Sequence, residues 1–354
     1  MTLKGQYSDE HLNQLGGNVL QRSAALADQY RHGLVNLRDS GWIPDVVISH
    51  SGWGCGLHTR EIWPECHHVA YLEWWFDPQS EFLNYDPENK ELNLSKRQAS
   101  RLWLRNQALS LELISADAIV APTSWQANQL PKLLRERCFI IHDGVDLERF
   151  RPPDKYSPKA EKVLTYGTRG MEPMRGFPQF IRSLPALLQE DSNVRIEIAG
   201  EDQANYGGRL PKNFSSWGQW AKNLLAQAGI GHRIHWMNYL DPEAYVAWLQ
   251  RSDCHVYLTH PFVASWSLLE ALACQTPLVA SDVAPVRELC TGVKSTVVFA
   301  DHRNIGSVTK AMQKCLEEGK KPRTRSEEAL RPYSKSNSLS LWGDVAGLQL
   351  TTNH

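Results

Sequence analysis

The run HVYLTHPFVASWSLLEALACQTPLVASDVAPVREL, His255 to Leu289, leaves a chain few ways to fold. Cys254 to Leu258 is a short apolar, β-branched stretch that predicts a buried strand, and Pro277 to Ala280 predicts a second. Between them a loop of Pro, Ser and Trp enters an apolar helix holding Leu268, Leu269, Glu270, Ala271 and Leu272. Strand, loop, helix and strand in this order make a βαβ unit, whose strands lie parallel in one sheet. At the loop-to-helix junction, Ser265, Trp266 and Ser267 aim free backbone N–H groups and the positive end of the helix dipole at one spot, where an anion can sit. Glu270 follows within two turns, a lone carboxylate among Leu and Ala. Burying it is costly unless something outside the helix bonds to it. A ligand hydroxyl is one such partner; solvent or an Arg is the other.

The 354 residues suffice for two domains, each with its own core. A net charge of −1 gives no electrostatic reason to expect nucleic acid as a partner. Seven scattered cysteines without a C-x-x-C pair fit reduced thiols rather than a disulfide framework or a zinc site. No apolar run approaches the roughly 20 residues of a membrane span, and the first residues lack a signal-peptide core. The expectation is a cytoplasmic protein without a transmembrane segment, with peripheral membrane contact left open. The thirteen tryptophans are read mainly as packing residues.

In chain order, helical spacing of Leu12, Leu15, Val19, Leu20, Leu26, Leu34 and Leu37 predicts a helix from about Ser8 to Ser40. A strand over Pro44 to His50 and a turn over Ser51 to Gly54 follow, placing His50 at a strand's carboxyl end, where open α/β sheets bind ligands. A lone His there is structural or catalytic. A second strand, His68 to Leu72, ends at Glu73, flanked by Trp74, Trp75 and Phe76. Glu73 is an acceptor-side base or sugar ligand, or a carboxylate held by Arg101 or Arg105. Asp77 to Asn93 reads as an acidic surface loop, Ser95 to Ile114 as a helix, Ala116 to Thr123 as a strand, Trp125 to Leu134 as a helix and Cys138 to Ile141 as a strand.

The segment IHDGVDLERFRPP contains a turn glycine and a stiff proline pair, and a domain boundary is expected there. Beyond it, strands are predicted at Val163 to Gly167, Val194 to Ala199, Ile234 to Met237, Cys254 to Leu258, Leu278 to Ala280 and Thr296 to Phe299, with helices between. Arg169 and Arg175 lie in the loop after the first of these; Arg carries a fork of donors suited to phosphate, although loop arginines are commonly solvated. Gly200 closes the second strand and lets a ligand approach the backbone. Asn205 to Trp217 reads as a loop, Asn304 to Glu318 as a helix and Gly319 to Arg325 as a basic polar run.

LLEALACQTPLVASDVAPVREL resembles the signature of the retaining glycosyltransferases of family 4, which have the GT-B fold. In that family a paired-Glu motif, E-G-F-G followed by E-A-M-A-x-G-x-P-V-V-A-S, lines the donor site, and its second Glu binds the nucleotide ribose. Glu270 matches that Glu; Phe262 replaces the first and Ser265 the loop Gly, as in a subgroup to which PFVASWSLLEA is similar. DVVISHSGWGCGL is similar to the family's strand-His-turn, whose His meets the acceptor or transferred sugar, and IHDGVDLERFRPP to its N-G-V-D-x-x-x-F-x-P crossing. Arg169 and Arg175 fall where the family places an Arg and a Lys that neutralise the diphosphate.

The resemblance implies two Rossmann-like doubly wound α/β domains facing a cleft, residues 1–150 on the acceptor side and 151–330 binding the nucleotide sugar, with a helical tail over 331–354 crossing back to the first. It implies transfer of a sugar from a nucleotide diphosphate sugar to an acceptor hydroxyl (on a sugar, glycan or lipid-linked glycan) with retention of configuration. His50 and Glu73 are then the catalytic candidates, and Arg169, Arg175, Gly200, Ser265, Trp266, Ser267 and Glu270 the donor-binding ones. No cofactor is expected beyond the donor, a co-substrate. With no Asp-x-Asp, no metal is expected, and no G-x-x-x-x-G-K-[ST] points to an ATPase. Only four strands are read in the first half against six in the second, so the first domain is expected to be shortened at its start and less stable. The alternative is a non-catalytic nucleotide-sugar-binding or scaffold protein.

Overall fold

A computed structural model describes residues 10, 14, 19–154, 161–206, 208–263, 265–293, 297–318 and 327–348. The chain divides into two compact units. One gathers the residues up to Ser80, Leu94–Asp143 and the chain from Ser336 on; the other holds Glu81–Asn93 and Gly144–Lys335.

The first unit is built on helix α1 (Val19–Asp39), strand β1 (Val46–His50), β2 (His67–Tyr71), helix α2 (Lys96–Ser115), β3 (Ala118–Ala121) and β4 (Cys138–Ile140). Its four strands lie parallel in the order β1-β2-β3-β4, so among the described residues β1 is an edge strand. Ala70, Leu72, Leu109, Leu113 and Ile119 fill one face of the sheet. Val69, Val120 and Ile141 fill the other, covered by Trp342 and Val345 from the last helix. A capping box starts α2: Ser95 receives the Gln98 N–H while the Gln98 side chain receives the Ser95 N–H.

Two expectations for this half are corrected. The Trp125 to Leu134 helix is two single turns, Ser124–Ala127 and Lys132–Arg135. Pro131 between them lacks an N–H and disfavours helical geometry at Leu130. Asp77 to Asn93 is not a free surface loop, because Glu81–Asn93 packs into the second unit. The first part of the Ser8 to Ser40 helix and the Gly319 to Arg325 run lie largely outside the described residues.

The second unit runs β5 (Lys162–Gly170), α3 (Phe177–Glu190), β6 (Val194–Glu201), α4 (Trp217–Gln227), β7 (Ile234–Asn238), α5 (Pro242–Arg251), β8 (Cys254–Tyr257), α6 (Trp266–Ala273), β9 (Leu278–Ser281), α7 (Ala284–Cys290), β10 (Val297–Ala300) and α8 (Ile305–Glu318). All six strands are parallel, in the order β10-β9-β8-β5-β6-β7. The winding reverses between β5 and β8, and the carboxyl ends of those two strands flank the crevice where ligands of such sheets bind. Phe177, Phe180, Ile181 and Leu184 pack one face of the sheet with Ile196 and Ile198. Leu268, Leu269 and Leu272 pack the other with Trp248 and Tyr257. Glu81–Asn93 is tied to this unit by Arg182 to Glu91 at 2.7 Å and by Tyr85, buried and stacked on His302.

Candidate functional site

In the second unit the switch point is furnished by Arg175 and the start of α6. Gly176, at φ +63°, makes the left-handed turn after Arg175, and a Cβ there would stand 2.5 Å from the Leu258 Cβ. That close approach holds Arg175 beside the carboxyl end of β8. The Tyr166 hydroxyl donates to the Arg175 carbonyl at 2.7 Å, and the guanidinium donates to the Thr259 hydroxyl at 3.1 Å while lying 4.8 Å over the Tyr206 ring. Tyr257 stands next to Arg175 and bonds to Ser265, the residue that precedes α6. Ser265 makes no side-chain cap on α6; its hydroxyl pairs with that of Ser267 at 2.8 Å. The first N–H groups of α6 therefore have no side-chain acceptor from the cap residue, and they share the switch point with a fixed guanidinium.

Glu270 lies on α6 beyond this point. Burial pushes its carboxyl above the ordinary range, opposed by a hydrogen bond from Tyr245 on α5 and by the charge of Arg149. Arg169 is exposed at the end of β5 and makes no ion pair among the described residues. Trp266 is 60% exposed. Gly200 has φ +129°, and an added Cβ would stand 1.9 Å from the Thr168 carbonyl oxygen, so the β5 backbone itself requires this glycine. It also lines a cavity of about 300 Å³ with Met171, Asp202, Trp236, Asn238 and Tyr239. The structure thus links Arg175 through Tyr257 to the Ser265–Ser267 pair, with Glu270 further along the same helix.

Several groups escaped the sequence reading. Fully buried Glu172 receives the backbone N–H groups of Asn205 and Tyr206 at 2.9 and 2.7 Å, which anchors the Asn205 to Trp217 loop and sets Tyr206 against Arg175. Tyr206, Tyr245, Tyr257 and Arg149 carry no motif, so no sequence signal pointed to them. Among the described residues no group of three His, Cys, Asp or Glu is placed to hold a metal ion.

In the first unit His50 and Glu73 meet. The parallel register sets His50 opposite Tyr71, and Glu73 lies two residues further on. His50 Nε2 is 3.5 Å from the Glu73 carboxylate, and Nδ1 is 3.1 Å from the Ser51 carbonyl oxygen. Both neighbours accept only, so the doubly protonated ring satisfies both. Accordingly the bond to Glu73 holds the His50 pKa above its ordinary value, against the effect of burial. Neither Arg101 nor Arg105 makes an ion pair with Glu73; Arg105 lies over the Phe76 ring. The side chains are 41% and 46% exposed, so an incoming hydroxyl can reach the pair.

The glycosyl transferase family 4 group model matches residues 6–150, and the glycosyl transferases group 1 model matches residues 149–331. The chain belongs to this family. Among relatives of this group 1 glycosyl transferase, a D-inositol 3-phosphate glycosyltransferase of Nocardia farcinica is 27% identical over 196 residues, 51% of this chain and 42% of the relative. One from Catenulispora acidiphila is 24% identical over 198 residues, 53% of this chain and 45% of the relative. The chain spans about half the length of these relatives or slightly less. Sucrose-phosphate synthase of Thermosynechococcus elongatus superposes at TM-score 0.66 with 15% identity, covering 93% of this chain and 77% of that one. HepE of Anabaena, solved with UDP and glucose, superposes at 0.65 with 13% identity, covering 98% and 85%. The group 1 transferase fold is GT-B, with two parallel-sheet α/β domains. No helix among its described residues is long and apolar enough to cross a membrane.

Proposed function

We propose that the protein moves a sugar from a nucleotide diphosphate sugar to an acceptor hydroxyl, with retention of anomeric configuration and without a metal ion. The observation that carries this reading is Arg175, fixed on Thr259 at the β5/β8 switch point, with Tyr257 linking it to Ser265 at the start of α6. A leaving diphosphate needs cationic and N–H partners fixed in advance, and these groups supply them without an ion. In this reading Arg169 joins Arg175 on the diphosphate, Glu270 takes the ribose hydroxyls, and His50 with Glu73 acts on the acceptor side. A protonated His50 is a hydrogen-bond donor, not a base, until its proton moves to Glu73 or to solvent. Seven free cysteines support a cytoplasmic setting.

Phe262, in place of the first carboxylate of the family's pair, favours a second reading: nucleotide-sugar binding without transfer. Screening nucleotide sugars by thermal shift, then following transfer or hydrolysis of the stabilising donor in excess EDTA, separates the two. Stabilisation with turnover supports the transferase, and stabilisation with no turnover on any acceptor or water supports the second reading. No stabilisation by any nucleotide sugar defeats both.

A further inference from the structure

The loop that follows His50 is fastened from behind by a carboxylate that no part of the donor or acceptor chemistry uses. Glu112, in the last turn of α2, is fully buried. Its Oε1 receives the Ser49 hydroxyl at 2.6 Å, and the backbone N–H groups of Gly52 and Gly56 also turn toward it. Ser49 immediately precedes His50 on β1, and Gly52 and Gly56 lie in the loop behind it. One carboxylate therefore gathers the strand end and two points of the loop.

The fit is too close to be incidental. A Cβ at Gly56 would stand 2.1 Å from Glu112 Oε1 and 2.3 Å from Ser49 Oγ, and one at Gly52 would stand 2.7 Å from Leu109 Cδ2, one turn earlier on α2. The loop lies against the helix with its backbone because both positions lack a side chain. Within the loop, the Cys55 thiol reaches the His50 carbonyl at 3.1 Å, closing the loop back onto the strand end.

The hydrogen-bond directions follow from proton count. Ser49 has one hydroxyl proton and gives it to Glu112, so the 2.8 Å contact between Ser49 Oγ and His68 Nε2 is donated by the imidazole. Fully buried His68 is thereby the Nε2–H tautomer, and burial pushes its pKa down to about 4, so it stays neutral. The chain His68 to Ser49 to Glu112 runs in one direction and ends on a carboxylate that the fold buries at a cost. A neutral acceptor would have satisfied Ser49 alone. Burial pushes the Glu112 carboxyl above its ordinary range, and the Ser49 hydroxyl with the Gly52 and Gly56 N–H groups pulls it back.

We propose that Glu112 is a positioning residue for the His50 loop, acting through Ser49, Gly52 and Gly56 to fix where the His50 ring meets an acceptor. The role rests on the reading of His50 as an acceptor-side group. Glu112 itself touches neither substrate nor donor.

The test is Glu112→Gln in the full chain, with Ser49→Ala as a milder second variant should the first fail to fold. Three measurements are made on each. Hydrogen exchange should rise over residues 51–58 and stay unchanged in the strands of the second unit. The midpoint of the His50 ring, followed by NMR, should fall in Ser49→Ala as well, where the Glu112 charge that acts on His50 directly is kept. Acceptor-dependent kcat/KM should drop about 10- to 100-fold, as for a misplaced catalytic group, with the donor Kd within about twofold of wild type. Unchanged exchange and an unchanged His50 titration in both variants overturn the positioning role. If the wild type transfers nothing, the transferase reading fails while the exchange and NMR results still decide whether Glu112 holds the loop.

Discussion

Replacing Glu270 by Gln separates two effects that a buried binding carboxylate combines. In the folded chain without donor, the carboxyl is pushed up by burial, with Tyr245 and Arg149 as partial compensation. A carboxyl whose folded pKa lies above its unfolded value favours the fold while protonated, and that benefit is lost as pH rises through the folded pKa. At pH 7 the ionised side chain is therefore a burden on the empty protein, and the Gln variant should melt no lower than wild type. Its amide oxygen can still accept the Tyr245 hydroxyl. Donor binding should move the other way. Bonds from ribose hydroxyls to a carboxylate are worth roughly 1.5–3 kcal/mol against 0.5–1.5 for neutral ones, so the loss is about 1–2 kcal/mol. That is about 5- to 30-fold in Kd. Calorimetry with the stabilising nucleoside diphosphate measures it, beside a melting curve of each empty protein. A 2′,3′-dideoxy analogue supplies the internal check, binding wild type weakly and the variant no worse. A folded variant with unchanged affinity, or equal losses for both ligands, refutes the assignment of Glu270 to the ribose.

Arg175→Ala should weaken nucleoside diphosphate far more than bare nucleoside, since only the former carries the charge to be neutralised; Arg169→Ala should do the same less strongly, its side chain being exposed and unfixed. Equal losses for the two ligands make the arginines structural. Transfer should persist in excess EDTA, and loss that magnesium or manganese restores moves the protein to a metal-dependent mechanism. Acid should destabilise the fold early: burial holds His68 and His260 down to about 4 and His255 and His302 to about 3. Each depressed His supports the fold above its unfolded pKa near 6.5 and loses that support as pH falls toward the folded value, at up to roughly 1.4 kcal/mol per pH unit. The melting temperature should thus fall between pH 7 and 5, before carboxylates titrate; a flat or rising profile contradicts the neutral buried histidines.

What was legible followed from periodicity. β8 was expected at Cys254 to Leu258 and lies at Cys254–Tyr257, and β6 was expected at Val194 to Ala199 and lies at Val194–Glu201, because buried parallel strands are apolar runs with sharp ends. The four strands of the first half and six of the second were readable for the same reason. Contacts that depend on register were not. His50 and Glu73 were each noticed at a strand end, but their pairing appears only once β1 and β2 lie side by side with His50 opposite Tyr71. Glu112 stands in the sequence as one more polar residue of a helix, and nothing local says that its carboxylate is buried beneath a loop sixty residues earlier. Phe82 and Tyr85 are single aromatics in a polar stretch without a period, so their docking on the second unit left no trace.

That docking also accounts for the departure at Phe262, where the family's signature has a carboxylate. The Phe262 ring lies 5.3 Å from Phe82 and 5.4 Å from Tyr206, with both contacts inside the second unit. A Glu at this position would forfeit two ring contacts, each worth about 0.5–1.5 kcal/mol beyond the area buried. It would also leave Tyr206 without the edge-on neighbour that helps hold its ring under the Arg175 guanidinium. The negative charge near Arg175 comes instead from Glu172, which fixes the backbone of Asn205 and Tyr206 from below. The aromatic residue and the Glu81–Asn93 segment therefore belong to one arrangement. With segment, ring and loop stacked in sequence, Arg175 is aimed by packing, and Glu270 remains as the carboxylate on α6 for a ligand to meet.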